Sequence, residues 1–97
     1  MILSQATHYP KPEQERQLIQ IMLTFGAVLG RQPGLIVANA FRDPQAGTIV
    51  AISVWESPAA MQAAAPAVQA ALSGVAFDDL ERRPRELRIL ASVEADA

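Results

Sequence analysis

From Ile2 to Tyr9 apolar and polar residues alternate weakly, and Thr7 and Tyr9 add β-favouring side chains, which predicts a first strand. Pro10 and Pro12 end it. Pro12 suits the first turn of a helix, and Glu13 and Glu15 favour the positive end of the helix dipole. Leu18, Met22, Phe25 and Leu29 recur at helical spacing, with Ile21 and Val28 widening the stripe. That helix should stop near Gly30 to Gln32, because Pro33-Gly34 is a turn signal. Leu35 to Phe41 reads as a second strand, Arg42 to Gly47 as a loop of hairpin length, and Thr48 to Trp55 as a third strand. Ser57 is a good N-cap and Pro58 a good first helical residue, so "VWESPAAM" marks a strand-to-helix joint. Met61, Ala65, Val68 and Leu72 form the apolar stripe of the second helix. Pro66 inside it costs about 3 kcal/mol in an uninterrupted helix, which predicts a kink or break. Gly74 ends the helix, and Val75 to Glu86 is an irregular charged connection with a short helical turn around Asp78 to Arg82. Leu87 to Val93 is the last strand, and Glu94 to Ala97 a fraying tail.

The order β-α-β-β-α-β predicts an α+β, ferredoxin-like sandwich: a four-stranded antiparallel sheet with two helices on one face. Such a sheet should alternate apolar and polar residues. The third strand instead carries Val50, Ile52 and Val54 on one face and Ile49, Ala51 and Trp55 on the other, with only Ser53 polar. The second strand sets Ile36, Ala38 and Ala40 against Leu35, Val37 and Phe41. Both faces favour a dry environment, so a homodimer packed through its sheet faces is expected.

The 97 residues make a single small domain, residues 1–97, with a limited core. There is no cysteine, hence no disulfide, thiolate metal ligand or cysteine nucleophile. Eight basic and ten acidic residues give a net charge of −2, too little positive charge for a nucleic-acid surface. Met1-Ile2-Leu3 runs directly into Ser4-Gln5 without a basic segment or long apolar run, and no apolar stretch reaches membrane-spanning length. A cytoplasmic protein without nucleic-acid or membrane partners is the expectation.

Candidate chemistry is sparse. His8 is the only histidine and so the natural candidate base. No phosphate-binding glycine loop, nucleophile elbow or zinc-binding motif occurs, and no metal site is expected. Ser4, Ser53, Ser57, Ser73 and Ser92 lack any signature of activation. Asn39, a polar residue in an apolar strand, is either a pocket hydrogen-bonder or an edge residue facing water. The arginines at 82, 83, 85 and 88 read as solvated surface.

"HYPKPE" before the first helix, "QPGLIVANAFRD" opening the second strand and "VAISVWESPAAMQAA" together resemble the antibiotic-biosynthesis-monooxygenase family of dimeric α/β-barrel proteins. The resemblance spans nearly the whole chain. It implies a ferredoxin-like fold dimerised through its sheets and, for some members, oxygenation of quinols or polyphenols without metal or flavin. Quinol-oxidising members carry an asparagine four positions before the strand-end tryptophan and a tyrosine six positions after it. Here those positions are Ala51 and Met61, and only Trp55 is retained. Haem-degrading members carry a further tryptophan and a histidine on the following helix, and Ala63 to Gly74 has neither. The resemblance implies a monooxygenase without metal or flavin acting on a small aromatic beside Trp55; the residues themselves offer His8 as the candidate base, Asn39 as a candidate orienting group, and Phe25 and Met61 as further ligand neighbours. The alternatives are a dimeric module of the same fold that holds an apolar ligand and performs no reaction, and an interaction or structural dimer with no pocket.

Overall fold

In this computed structural model, residues 1–93 are described; the expected tail, Glu94 to Ala97, lies outside them. Strand β1 (Ile2–His8) gives way at Pro10, and a 3-10 turn at Pro12–Gln14 leads into helix α1 (Glu15–Leu29). The turn after α1 depends on Gly34, whose φ of +83° lies in the region that favours glycine. Strands β2 (Leu35–Asp43) and β3 (Thr48–Trp55) form a hairpin. Asp43 Oδ1 accepts from the N–H groups of Gln45 and Ala46, at 3.0 and 3.1 Å, which fixes the turn locally. Helix α2 (Pro58–Leu72) starts on Ser57, whose hydroxyl oxygen accepts the Ala60 N–H at 3.1 Å. A short helix α3 (Phe77–Leu80) precedes the last strand, β4 (Glu86–Ala91).

Helix α2 runs unbroken through Pro66, so of the expected kink or break, no break forms. Proline removes one donor from the helix ladder, while the alanines at 63, 64, 65, 67, 70 and 71 around it are the strongest helix formers.

The four strands lie in the order β2-β3-β1-β4, every neighbouring pair antiparallel, which is the ferredoxin-like arrangement. Register fixes the two faces. Ile49, Ala51, Ser53 and Trp55 of β3 share one face with Ile2, Ser4, Ala6 and His8 of β1, their direct cross-strand partners. Val50, Ile52 and Val54 lie on the opposite face, as the alternation predicts.

Strand β2 departs from simple alternation. A bulge between Leu35 and Val37 puts Leu35 opposite Trp55 and Val37 opposite Val54. Leu35 therefore joins the inner face with Ala38 and Ala40, and packs on the Trp55 cluster. The expected grouping of Leu35 with Val37 and Phe41 is corrected by that one extra residue.

The core is divided in two. At the His8 end, Leu18 and Met22 of α1 close on Ile49 and Leu80. At the Trp55 end, Leu29 closes on Trp55 and on Ala64 of α2. Between the two clusters the inner face of the sheet carries only small side chains: Ser4, Ala6, Ala38, Ala51 and Ser53. Small residues opposite a helix cannot fill the roughly 10 Å layer spacing of a packed structure, and a gap remains.

Candidate functional site

That gap is the candidate site. A cleft of about 320 Å³ has the small residues of β1, β2 and β3 as its floor and Met22, Phe25, Gly26 and Leu29 of α1 as its wall. A second hollow of about 240 Å³ adjoins it toward α2, bounded by Trp55, Met61, Ala65 and Val68. Ser4, Ser53, Phe25 and Leu29 border both. Gly26 widens the first hollow: a Cβ added there meets nothing within 4 Å.

Trp55, Met61 and Phe25 are thus brought together from three elements, as a ligand wall would require. Trp55 is 2 % exposed and donates its indole N–H to the Ser53 hydroxyl at 2.9 Å. Asn39 borders the first hollow. Its register opposite Ile52 sends its side chain to the outer face, so its backbone forms the border.

His8 lies elsewhere. It is buried at the far end of β1, its Nδ1 3.4 Å from Glu81 Oε2 and its ring stacked on Phe77 with centroids 5.8 Å apart. Glu81 is also buried, and its other oxygen accepts the Tyr9 N–H at 2.8 Å. Burial pushes the His8 pKa below its ordinary value, and the neighbouring Glu81 carboxylate works against that shift. His8 borders neither hollow. Among the described residues no ionisable side chain lines either one.

Arg82 is not simple solvated surface. Its guanidinium donates to the carbonyls of Pro10, Gly47 and Ala46, clasping the hairpin to the end of β1. Arg83 and Arg85 lie over the rings of Tyr9 and Phe77. No cluster of three or more histidine, cysteine or acidic residues able to hold a metal occurs among the described residues.

Sequence reasoning missed Glu81 and the serine pair. Glu81 carries no local signal, because its partners are 72 and 73 positions away. Ser53 carried a weak one, as the single polar residue among the inner-face positions of β3. Ser4 becomes meaningful only once register sets it opposite Ser53.

The family model for antibiotic biosynthesis monooxygenase matches residues 1–72. The chain belongs to that family. The matched stretch runs from β1 to the end of α2 and contains every residue bordering the two hollows; Glu81 and β4 lie beyond it. Among solved structures, the chain is similar to Rv0793 from Mycobacterium tuberculosis at 15% identity and a TM-score of 0.81, covering 99% of this chain and 98% of that one. It is similar to PA3566 from Pseudomonas aeruginosa at 14% identity and a TM-score of 0.78, over 96% and 94%. It is also similar to a structure described as an antibiotic biosynthesis monooxygenase, at 18% identity and a TM-score of 0.79, over 97% and 100%. At these identities the likeness carries the fold. No curated protein matches the chain. No helix among the described residues is long and apolar enough to cross a membrane.

Proposed function

We propose that this member of the antibiotic biosynthesis monooxygenase family holds a small aromatic molecule in the cleft beneath α1 and oxygenates it. The supporting observation is the split core: an apolar gap with a flat floor of small residues, walled by Phe25, Met22 and Trp55. His8, the sequence's candidate base, stands outside the gap, and among the described residues no other ionisable group borders it. The chemistry therefore falls to substrates that lose a proton to solvent and react as the minor anion, such as quinols and anthrones: the substrate loses two hydrogens and gains one oxygen atom of O2 as a carbonyl, and the other oxygen leaves as water. The same absence of a base favours a second reading, a module that binds an aromatic and performs no reaction.

Oxygen uptake against a panel of quinols and anthrones separates the two. Turnover faster than the buffer rate, lost in a cleft-filling Ala51→Leu variant, supports the oxygenase. Quenching of Trp55 fluorescence without uptake supports the binding module. No quenching and no uptake by any member of the panel overturns both.

We propose in addition that the outer sheet face pairs with a second copy. Leu3, Val50, Ile52 and Val54 form its centre, with Val37, Phe41 and Leu90 exposed around them. Sedimentation is the test, and a monomer at all concentrations removes the proposal.

A further inference from the structure

The two hollows meet over a pair of hydroxyls. Ser4 and Ser53 are direct cross-strand partners on the inner face, a geometry that puts their Cβ atoms about 5 Å apart. Both border both hollows, and the other borders there are apolar or backbone except Gln69 at the exposed edge. Ser53 is 8 % exposed, so its hydroxyl is largely withdrawn from bulk water.

The indole N–H of Trp55 already occupies one acceptor position of the Ser53 oxygen, at 2.9 Å. Two consequences follow from hydroxyl chemistry. Trp55 has spent its single donor and offers the ligand only its ring. Ser53, having accepted, retains its own O–H to donate, and a hydroxyl that accepts one hydrogen bond is a better donor in the next. Among the described residues the Ser53 hydroxyl makes no side-chain hydrogen bond besides the one it accepts from Trp55.

We infer that Ser53, oriented by Trp55 and flanked by Ser4, is the polar anchor of the cleft, and that its ligand is a flat aromatic bearing a carbonyl or phenolate oxygen. This rests on the proposed aromatic-binding cleft and specifies which chemistry it selects. The floor of Ala6, Ala38 and Ala51 suits a flat ring system, and an acceptor oxygen placed over the serine pair meets donors and no competing acceptor charge. Trp55 is a positioning residue here, acting through Ser53.

The test uses 9-fluorenone and fluorene, which share one planar skeleton and differ in a carbonyl against a methylene. Neither needs to react. Binding to the full chain is followed by quenching of Trp55, the only tryptophan. Wild type should favour fluorenone by about five- to tenfold, the worth of one neutral hydrogen bond in a half-dry site. Ser53→Ala should bring the two affinities together by weakening fluorenone alone. The unchanged affinity for fluorene shows that the variant is folded. Ser4→Ala, which leaves the Trp55 bond intact, should lower the preference to a smaller extent. Trp55→Phe, followed by calorimetry, should lie between wild type and Ser53→Ala in its ratio of fluorenone to fluorene affinity, whatever the loss of ring contact does to both affinities. Equal binding of both probes to wild type, or a preference that survives Ser53→Ala, overturns the anchor while the aromatic cleft stands. A preference unchanged in Trp55→Phe overturns the positioning role. If neither probe quenches Trp55, the aromatic cleft itself falls, and the anchor with it.

Discussion

Replacing His8 with alanine separates a structural histidine from a catalytic one. His8 is 3 % exposed, so the change removes a ring that is packed on Phe77 and bonded to Glu81. Glu81 keeps the Tyr9 N–H on one oxygen but loses its partner on the other. A buried acceptor left without its partner costs about 1–3 kcal/mol, and the vacated ring volume adds a comparable amount. The sum is about 2–6 kcal/mol against a stability of about 5–15 kcal/mol for a domain of this length. At about 4–8 °C per kcal/mol, the midpoint of thermal unfolding falls by about 10–50 °C. Binding of fluorenone, followed by Trp55 fluorescence well below that midpoint, should be unchanged, because His8 borders neither hollow. The pH dependence adds a sign. Burial lowers the pKa of His8 in the fold, so the unfolded chain takes up its proton first as pH falls. The stability that comes from a neutral His8 is present above the unfolded value of about 6.5 and is lost as pH falls from there through the folded pKa. One proton limits the slope to about 1.4 kcal/mol per pH unit. Urea unfolding of wild type and His8→Ala at pH 8, 7, 6 and 5 should show a gap between them that narrows toward acid. A gap that widens toward acid would mean that the charged pair holds the fold, and would refute the burial argument. A midpoint unchanged by His8→Ala, with ligand binding lost, would refute the structural role altogether.

Gly34→Ala should destabilise by about 2–4 kcal/mol in chemical denaturation, since the residue sits at φ +83° and the new Cβ would stand 2.5 Å from Ala60 Cβ. Adding Ala60→Gly relieves the clash but not the backbone strain, so the double variant should be more stable than the sum of the two single losses predicts, and simple additivity refutes the contact. Gly26→Ala should raise stability by about 0.5–1 kcal/mol, because it replaces a helix-interior glycine where a Cβ meets open space. The same methyl narrows the cleft, so fluorenone affinity should drop in the more stable variant. Ile52→Lys places a charge at the centre of the outer sheet face and should convert the proposed dimer to monomer in sedimentation, with the circular dichroism of the fold retained.

What the sequence determined by itself was local. Ser57 and Pro58 set the start of α2, Gly34 and the Asp43-to-Gly47 turn set two reversals, and periods of two and 3.6 residues set the elements and the ferredoxin-like order. These succeed because capping, turn geometry and side-chain periodicity act between residues a few positions apart. Pro66 shows the limit even there, since the propensity of its alanine neighbours carried the helix past it. The tertiary structure decided which side chains meet. The bulge after Leu35 moved that residue to the inner face, and the cross-strand register set Ser4 opposite Ser53. His8 was drawn to Glu81, 73 positions away, and out of the cleft that a sequence argument would give it. The same register set Trp55 beside Met61 and Phe25 while directing its one polar group to Ser53. Strand pairing and helix docking are long-range choices, settled by burial of the whole inner face at once. No short stretch of this chain, "VWESPAAM" included, carries that information alone.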